Sequence, residues 1–547
     1  MINSSTGVHA FGLALLVAVA TVSAGRSGDP LSLDTGKIAG VISNDPTVRV
    51  YKGIPYAAPP LGEWRWRAPR PATPWVGVRA ADAFGHRCMG RNFGPAAPSD
   101  MSEDCLFLNV WTPADARNER LPVFVWIHGG GFQGGSGSEA VFNGDSLARQ
   151  RLVVVTFNYR VGVLGFFAHS ELTRESEHRA SGNYGLLDQV AALEWVKRNI
   201  QAFGGDPRNV TIAGESAGAY SVSALTASPL ARGLFHRAIA ESGAYLSPKG
   251  QALRSLAAAE KIGAEFARSL RAGVPSGSDA PDVAALRAMS SETLLRAVAK
   301  MEDFFAFQPI VDGRFLTEPV YTTYREGRQA KVPLLIGSNT DEGAFLLADR
   351  RPSVEEFDAQ LGSRFGAFTS RVRELYPTKT AAALIRSELD LAGDVSFTYP
   401  MWKWAVMQRE DRLPVYLYLF GRTLPATSGQ TYKGIPREAI GALHGDEVPY
   451  VFGTLNDGAS LDGSVRKDRW EQADRDLSAA MVRYWANFVK RGDPNGPGLA
   501  VWPQYLAAGR DPLMHFEHEP AVRPDARTAR MTLLDAILTS VSTEERR

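Results

Sequence analysis

Gly214-Glu215-Ser216-Ala217-Gly218 decides the fold of this 547-residue chain, in which it is the only Gly-x-Ser-x-Gly pentapeptide. Before it, Val210-Thr211-Ile212-Ala213 is a short β-branched run that reads as a buried strand. After it, Ala217 to Ala227 is small and apolar and reads as a helix. A serine on so tight a strand-to-helix turn needs glycine two residues to either side, because a Cβ there collides with the neighbouring elements. The turn lifts Oγ of Ser216 clear of the sheet. It also leaves the amide of Ala217 at a helix N-terminus, where negative charge is favoured. These residues predict a nucleophile beside half of an oxyanion site.

Outward from that turn, apolar strands and amphipathic helices alternate from residue 120 onward. Pro122 to Ile127 (PVFVWI) and Leu152 to Phe157 (LVVVTF) are near-continuous apolar runs, as expected of strands buried on both faces. Gly185 to Ile200 carries Leu186, Leu187, Val190, Leu193, Val196 and Ile200 at helical spacing. Further strands are expected at Leu234 to Ala240, Val332 to Ile336 and Pro414 to Phe420, with helical stretches between them. That pattern predicts an α/β fold with a largely parallel sheet. Residues 344–440 are helix-rich and are expected to cap the site; Arg271 to Asp282, rich in Gly, Ser and Pro, reads as a flexible inserted loop.

Composition excludes several classes of function. Sixty Lys and Arg balance 59 Asp and Glu, and no basic tract argues for a nucleic-acid partner. Phe11 to Val22 is apolar but too short to span a bilayer, and it ends in the small-x-small pattern Val22-Ser23-Ala24. Residues 1–24 are therefore expected to be a signal peptide and residues 25–547 one domain, exported to the periplasm or secreted. The n-region departs from the usual pattern in lacking Lys and Arg. The two cysteines, Cys88 and Cys105, are an even count with a short separation, which in an exported chain suggests one disulfide. The oligomeric state is not readable from the sequence.

An attacking serine needs a base, and the base needs an orienting carboxylate. On this fold they follow in the chain order Ser, acid, His, each on a loop after a strand. Of nine histidines, His444, His515 and His518 lie far enough beyond Ser216. His515 and His518 sit in an alternating stretch that reads as a strand. His444 sits in Gly441-Ala442-Leu443-His444-Gly445-Asp446, an exposed glycine-flanked loop suited to a base. The acid should follow the strand at 332–336, where the residues leave Asp341 and Glu342 as equal alternatives. Trp126-Ile127-His128-Gly129-Gly130-Gly131-Phe132, directly after PVFVWI, can turn backbone amides inward to complete an oxyanion site with Ala217. It lacks the Gly-Lys-Ser/Thr ending of a phosphate-binding loop, which argues against a nucleotide.

With these motifs in place, the chain resembles the type B carboxylesterases of the α/β-hydrolase superfamily, which include bacterial para-nitrobenzyl esterases and animal cholinesterases. The resemblance runs from about residue 30 to 540. It includes Tyr51-Lys52-Gly53-Ile54-Pro55-Tyr56-Ala57, Ser102-Glu103-Asp104-Cys105-Leu106-Phe107-Leu108-Asn109 and Asn158-Tyr159-Arg160-Val161-Gly162. It also takes in Gly185-Leu186-Leu187-Asp188-Gln189, Phe203-Gly204-Gly205-Asp206-Pro207 and Gly492-Asp493-Pro494-Asn495. The resemblance implies an α/β-hydrolase fold: a large, mostly parallel sheet flanked by helices, with a helical cap. It implies Glu342 rather than Asp341 as the acid, with Ser216 and His444 completing the triad and Gly130, Gly131 and Ala217 as oxyanion donors. It further implies a Cys88–Cys105 disulfide, an Arg65–Glu103 pair, supporting roles for Glu215 and Ser242 near the histidine, and Phe305 in the acyl pocket.

One departure bears on substrate. Cholinesterases stack a choline cation on a tryptophan in the loop between these cysteines, and here Met89 to Asp104 contains none. A quaternary ammonium substrate is therefore not expected. The chemistry predicted is hydrolysis of a small-molecule carboxylic ester through an acyl-enzyme, with no metal or organic cofactor, losing activity as His444 protonates near its ordinary pKa of about 6.5. The rival within enzymes is an amide, carbamate or thioester hydrolase using the same residues. The rival outside them is a non-catalytic binding protein of the same fold; such proteins lose a triad member, and none is missing here.

Overall fold

Alternate residues of one strand show how the sheet is buried. In Leu121–Ile127, the side chains of Val123, Val125 and Ile127 join one hydrophobic core, while Phe124 and Trp126 join another on the opposite face. A strand buried on both sides has no polar face, which is why PVFVWI is continuously apolar. The computed structural model describes residues 30–92, 100–116, 118–248, 253–270, 282–425, 429–455, 470–505 and 512–544. The 1–24 leader and the 271–281 part of the expected flexible loop lie outside the described residues.

The central sheet has eleven strands. Numbered along the chain, they are β1 (Val41–Ile42), β2 (Val48–Pro55), β3 (Phe107–Pro113), β4 (Leu121–Ile127), β5 (Val153–Phe157) and β6 (Gly205–Glu215). They continue with β7 (Arg237–Glu241), β8 (Leu334–Asn339), β9 (Val415–Phe420), β10 (Pro512–Phe516) and β11 (Pro520–Pro524). Their order across the sheet is β11-β10-β9-β8-β7-β6-β4-β5-β3-β2-β1. From β10 to β5 neighbouring strands are parallel; the flanks β11, β3, β2 and β1 pair antiparallel. Helices α1 (Tyr184–Asn199) and α2 (Ala217–Ala227) pack into the core on one face. The long helix Gln472–Arg491 packs Leu477, Met481, Trp485 and Phe488 into the other.

Two expected strands begin later than the sequence suggests. Leu234 and Phe235 are buried in the core but stand outside the sheet, and β7 runs from Arg237 to Glu241. Likewise β8 extends past the apolar run through Gly337, Ser338 and Asn339, so the loop that follows is shorter. Between β8 and β9, in the region expected to be a cap, lie helices α3 (Val354–Phe365), α4 (Thr369–Leu375), α5 (Ala381–Gly393) and α6 (Tyr399–Glu410). A π-helical turn at Asp394–Thr398 joins α5 to α6. Near the other end, Cys88 and Cys105 form a disulfide with Cα atoms 4.9 Å apart. Closing a loop of that length stabilises the fold by about 3 kcal/mol in the chain-entropy view. Arg65 grips Glu103 beside it, with Nε 2.7 Å from Oε2.

The glycines flanking Ser216 are required by contact. A Cβ on Gly218 would stand 1.9 Å from the carbonyl oxygen of Ile127, and one on Gly214 would stand 2.6 Å from the backbone of Gly218. Neither obstacle is a side chain that can swing away. Gly218→Ala should therefore cost about 3 kcal/mol or more by overpacking, read as a lower urea midpoint. An unchanged midpoint would show that α2 is less tightly seated on β4 than this contact indicates.

Candidate functional site

The glycine run 129–131, Ser216 with Ala217, Ser242 and Glu342 sit at the carboxyl ends of β4, β6, β7 and β8, where open parallel sheets place their ligand crevices. Ser216 follows β6 directly and holds φ +54° and ψ −121°, a left-side conformation unusual for a residue with a side chain. Its amide donates to the carbonyl oxygen of Glu241 at 2.9 Å, which ties the turn to the end of β7. Ala217 is the first residue of α2 and is buried. Gly130 (φ +100°) and Gly131 (φ +60°) follow β4 on the other side of Ser216. A Cβ at Gly130 would stand 2.4 Å from the Gly134 oxygen, so only glycine fits that turn.

Glu342 and His444 meet although 102 residues separate them: Nδ1 of His444 lies 2.6 Å from Oε2 of Glu342. The other carboxylate oxygen of Glu342 accepts from Ser242 Oγ at 2.5 Å and from the amide of Asn339 at 2.6 Å. Both oxygens are thereby fixed, and Ser242, expected near the histidine, is bonded to Glu342. Asp341 points elsewhere, to the amide of Gly441. The Nε2 of His444 lies 3.2 Å from Oε1 of Glu215, without hydrogen-bond geometry. Contrary to the exposed loop histidine expected, the His444 side chain is only 15 % exposed. It packs against two phenyl rings, with the centroids of Phe397 and Phe345 at 4.6 and 4.9 Å, and these rings also touch each other at 5.8 Å. His515 and His518 lie elsewhere, on and just beyond β10, the first 3.4 Å from Glu517 and the second 3.0 Å from Arg422.

Ser216, His444, Glu215, Gly130, Gly131 and Ala217 all line one cavity of about 900 Å³. Its apolar walls come from two directions. Phe304 and Phe305 form one, with Phe305 within 3.4 Å of where a Cβ on Gly131 would sit. Phe345, Leu346 and Phe397, from the region between β8 and β9, form the other. Tyr220 and Tyr245 complete the lining near Ser216. Phe305, which the resemblance implies for the acyl pocket, lines this cavity. Phe345 could have been found from its place one turn after Glu342, whereas nothing local marks Phe397.

The electrostatics are dominated by buried carboxylates around one imidazole. Burial raises Glu215 to about 7, opposed by His444, with the charges of Glu342 and Glu139 adding to the rise. Burial likewise raises Glu241 to about 8 against the hydrogen bond donated by Trp485, and pushes Glu447 well above the usual carboxylate range. For His444, burial pulls the pKa down, but the charges of Glu215 and Glu342, the bond to Glu342 and the charge on Asp446 prevail and hold it up at about 9. The ordinary value near 6.5 expected from sequence therefore gives way to a raised one. The two raised groups oppose each other: Glu215 in its charged form is what lifts His444. Glu342, bonded to His444 at 2.6 Å, raises it independently of Glu215.

Comparison with known proteins places the chain in one family. The family that matches is the Carboxylesterase family, over residues 29–534. The chain is 38 % identical over 503 residues to para-nitrobenzyl esterase of Bacillus subtilis (strain 168), covering 88 % of this chain and 93 % of that one. It is 35 % identical over 501 residues to fumonisin B1 esterase of Sphingopyxis macrogoltabida, covering 90 % and 88 % respectively. Among solved structures, a PNB esterase superposes with a TM-score of 0.78 at 34 % identity, covering 92 % of this chain and 99 % of that one. The Geobacillus stearothermophilus carboxylesterase superposes with a TM-score of 0.77 at 32 % identity and the same coverage. The architecture is the α/β-hydrolase fold. The chain belongs to the carboxylesterase family and is a carboxylesterase. Among the described residues, no helix is long and apolar enough to cross a membrane.

The imidazole of His444 should titrate above 6.5 in the folded protein, gaining its proton as pH falls through a value nearer 9. Histidine NMR across pH 5–10 measures this, and Glu215→Gln and Glu342→Gln should each lower the midpoint. A His444 midpoint at or below 6.5 in the wild type would contradict the balance of charge over burial described here.

Proposed function

We propose that the chain hydrolyses carboxylic esters through a covalent acyl-enzyme on Ser216, with His444 as general base and acid and Glu342 as its orienting carboxylate. The observation that carries this reading is the 2.6 Å bond between Nδ1 of His444 and Glu342, at the floor of the same cavity that holds Ser216 on its strained turn. With Nδ1–H committed to Glu342, the neutral imidazole presents Nε2 as the acceptor for the Ser216 proton. In this arrangement Nε2 leans toward Glu215, and a small rotation of the ring against Phe345 and Phe397 turns it to Oγ as substrate enters. Catalytic hydrogen bonds commonly tighten only in the complex.

Attack by Oγ on the ester carbonyl makes a tetrahedral oxyanion. The amides of Gly130, Gly131 and Ala217 receive it, each worth about 3–4 kcal/mol by analogy with measured oxyanion donors. His444, now protonated, is held by Glu342 and by the nearby Glu215, then returns its proton to the leaving alkoxide. Water repeats the sequence on the acyl-enzyme and frees Ser216. The apolar walls built by Phe305 and by Phe345, Leu346 and Phe397 suit esters with a bulky apolar acyl or alcohol group. Because the base works neutral and its pKa is raised, kcat/KM should fall on the acid side from above pH 6.5.

We further propose that residues 25–547 act as one exported domain after removal of the 1–24 leader. The Cys88–Cys105 disulfide supports this, since such bonds persist in oxidising compartments. Amino-terminal sequencing of protein recovered outside the cytoplasm should begin at Gly25; recovery of the intact leader, or of none outside, argues against it.

The reading is tested by turnover of para-nitrophenyl acetate and butyrate with a burst-phase trace, beside Ser216→Ala. Loss of about 10⁴-fold or more in kcat, with no burst in the variant, is expected. Activity surviving in Ser216→Ala would place the nucleophile elsewhere.

A further inference from the structure

The loop after β8 and the loop that carries His444 are bonded residue by residue. Asn339 Nδ2 donates to the carbonyl oxygen of Leu443 at 2.6 Å. Thr340 Oγ1 accepts from the amide of Ala442 at 2.9 Å. Asp341 accepts from the amide of Gly441 through Oδ2 at 2.8 Å, and its own amide donates to the Ala442 carbonyl oxygen at 2.9 Å. Glu342 then meets His444. Four consecutive residues thus run along the histidine loop, and only the last of them is used in the reaction proposed above.

Asp341 is the residue of this set with a charge to spend. It is 2 % exposed. Its second oxygen, Oδ1, lies 2.6 Å from Nη2 of Arg386 on α5, and the same guanidinium lies 2.9 Å from Asp390. The carboxylate is therefore held from two sides, by a main-chain amide of the histidine loop and by a cation from the helical region above it. Gly441 fits this grip closely: a Cβ there would stand 2.3 Å from Thr340 Oγ1 and 2.5 Å from Asp341 Oδ2, the two atoms that bind the loop. The far side of the loop is held separately. Arg437 donates to the carbonyl oxygens of Ile440 and Gly441, both at 2.8 Å, and Asp446 accepts from the Leu443 amide at 2.7 Å.

We propose that Asp341, braced by Arg386, is a positioning residue that sets the register of the histidine loop and so fixes His444 against Glu342. This rests on the Ser216–His444–Glu342 reading and deepens it. The two adjacent carboxylates divide the work: Glu342 holds the ring and Asp341 holds the backbone that carries the ring. A one-sided loss of the grip leaves Gly441 to Leu443 tethered by Arg437 and Asp446, so the loop shifts without being released. His444 would then sit farther from Glu342. The charged groups facing its ring are Glu342, Glu215 and Asp446, and the apolar ones Phe345 and Phe397.

The test titrates active sites with a fluorophosphonate and measures kcat per titrated site, KM and the acid limb for wild type, Asp341→Ala, Asp341→Asn and Arg386→Gln. Asp341→Ala should lose roughly tenfold or more in kcat per site with KM within about twofold, and its acid limb should move to lower pH. Asp341→Asn, whose amide oxygen still accepts from Gly441, should fall between it and wild type. Arg386→Gln, altering a side chain that is 40 % exposed and so easily tolerated, should act in the same direction more weakly. If these variants merely yield fewer titratable sites, with kcat per site and acid limb unmoved, Asp341 is structural only and the proposal is overturned. Should Asp341→Ala not fold, Asp341→Asn and Arg386→Gln decide by the same criteria. A wild type that the phosphonate does not label at Ser216 overturns the triad reading and this one with it, whereas normal labelling with unaffected variants overturns this one alone.

Discussion

The close approach of α2 to the end of β4 is the constraint on which the site depends. The backbone at Gly218 passes so near the Ile127 carbonyl that no side chain fits between them. That contact fixes three things together. It seats the first turn of α2 over the sheet, it forces Ser216 into a left-side conformation at the strand end, and it brings the glycine run 129–131 beside Ser216. Backbone strain of this kind persists only where the surroundings over-determine it, and here β4, β6 and β7 all contribute: Ser216 is bonded to Glu241, and Gly214 and Gly218 on either side of it leave no room for a Cβ against the Ile127 carbonyl.

A second constraint is charge. Glu215, Glu241, Glu342 and Glu447 are all buried near one imidazole. Leaving so many carboxylates ionised out of water would be costly, so burial raises Glu215, Glu241 and Glu447, while Glu342 is secured by three donors in Ser242, the Asn339 amide and His444. A protonated His444 is the charge this arrangement favours. The adjoining rings of Phe345 and Phe397 pack against His444 and remove competing solvent without supplying a competing partner.

Much of this was legible in the chain itself, for identifiable reasons. The strand–Gly-x-Ser-x-Gly–helix signal is local, and α2 spans the residues expected of it. Doubly buried strands such as β4 and β5 are near-continuous apolar runs and therefore visible. The misplacements follow the same physics: Leu234 and Phe235 are apolar because they are buried, not because they are paired, and Ser338 and Asn339 look like loop although they end a strand. At 341–342 the residues left two carboxylates open, and only the resemblance chose Glu342. Their different partners, Gly441 and His444, lie about a hundred residues away and leave no local mark. The enclosure of His444 was missed for the same reason, since Phe397 reaches it only through the folding of the region between β8 and β9.

The central claim is that an acyl group passes through Ser216. Rapid quench of the protein with a slowly deacylating ester, followed by peptide mass spectrometry, tests it most directly. The account predicts a transient adduct of the acyl mass on the peptide containing Gly214 to Gly218, localised to Ser216. Turnover without any such adduct, or an adduct on another side chain, would contradict it.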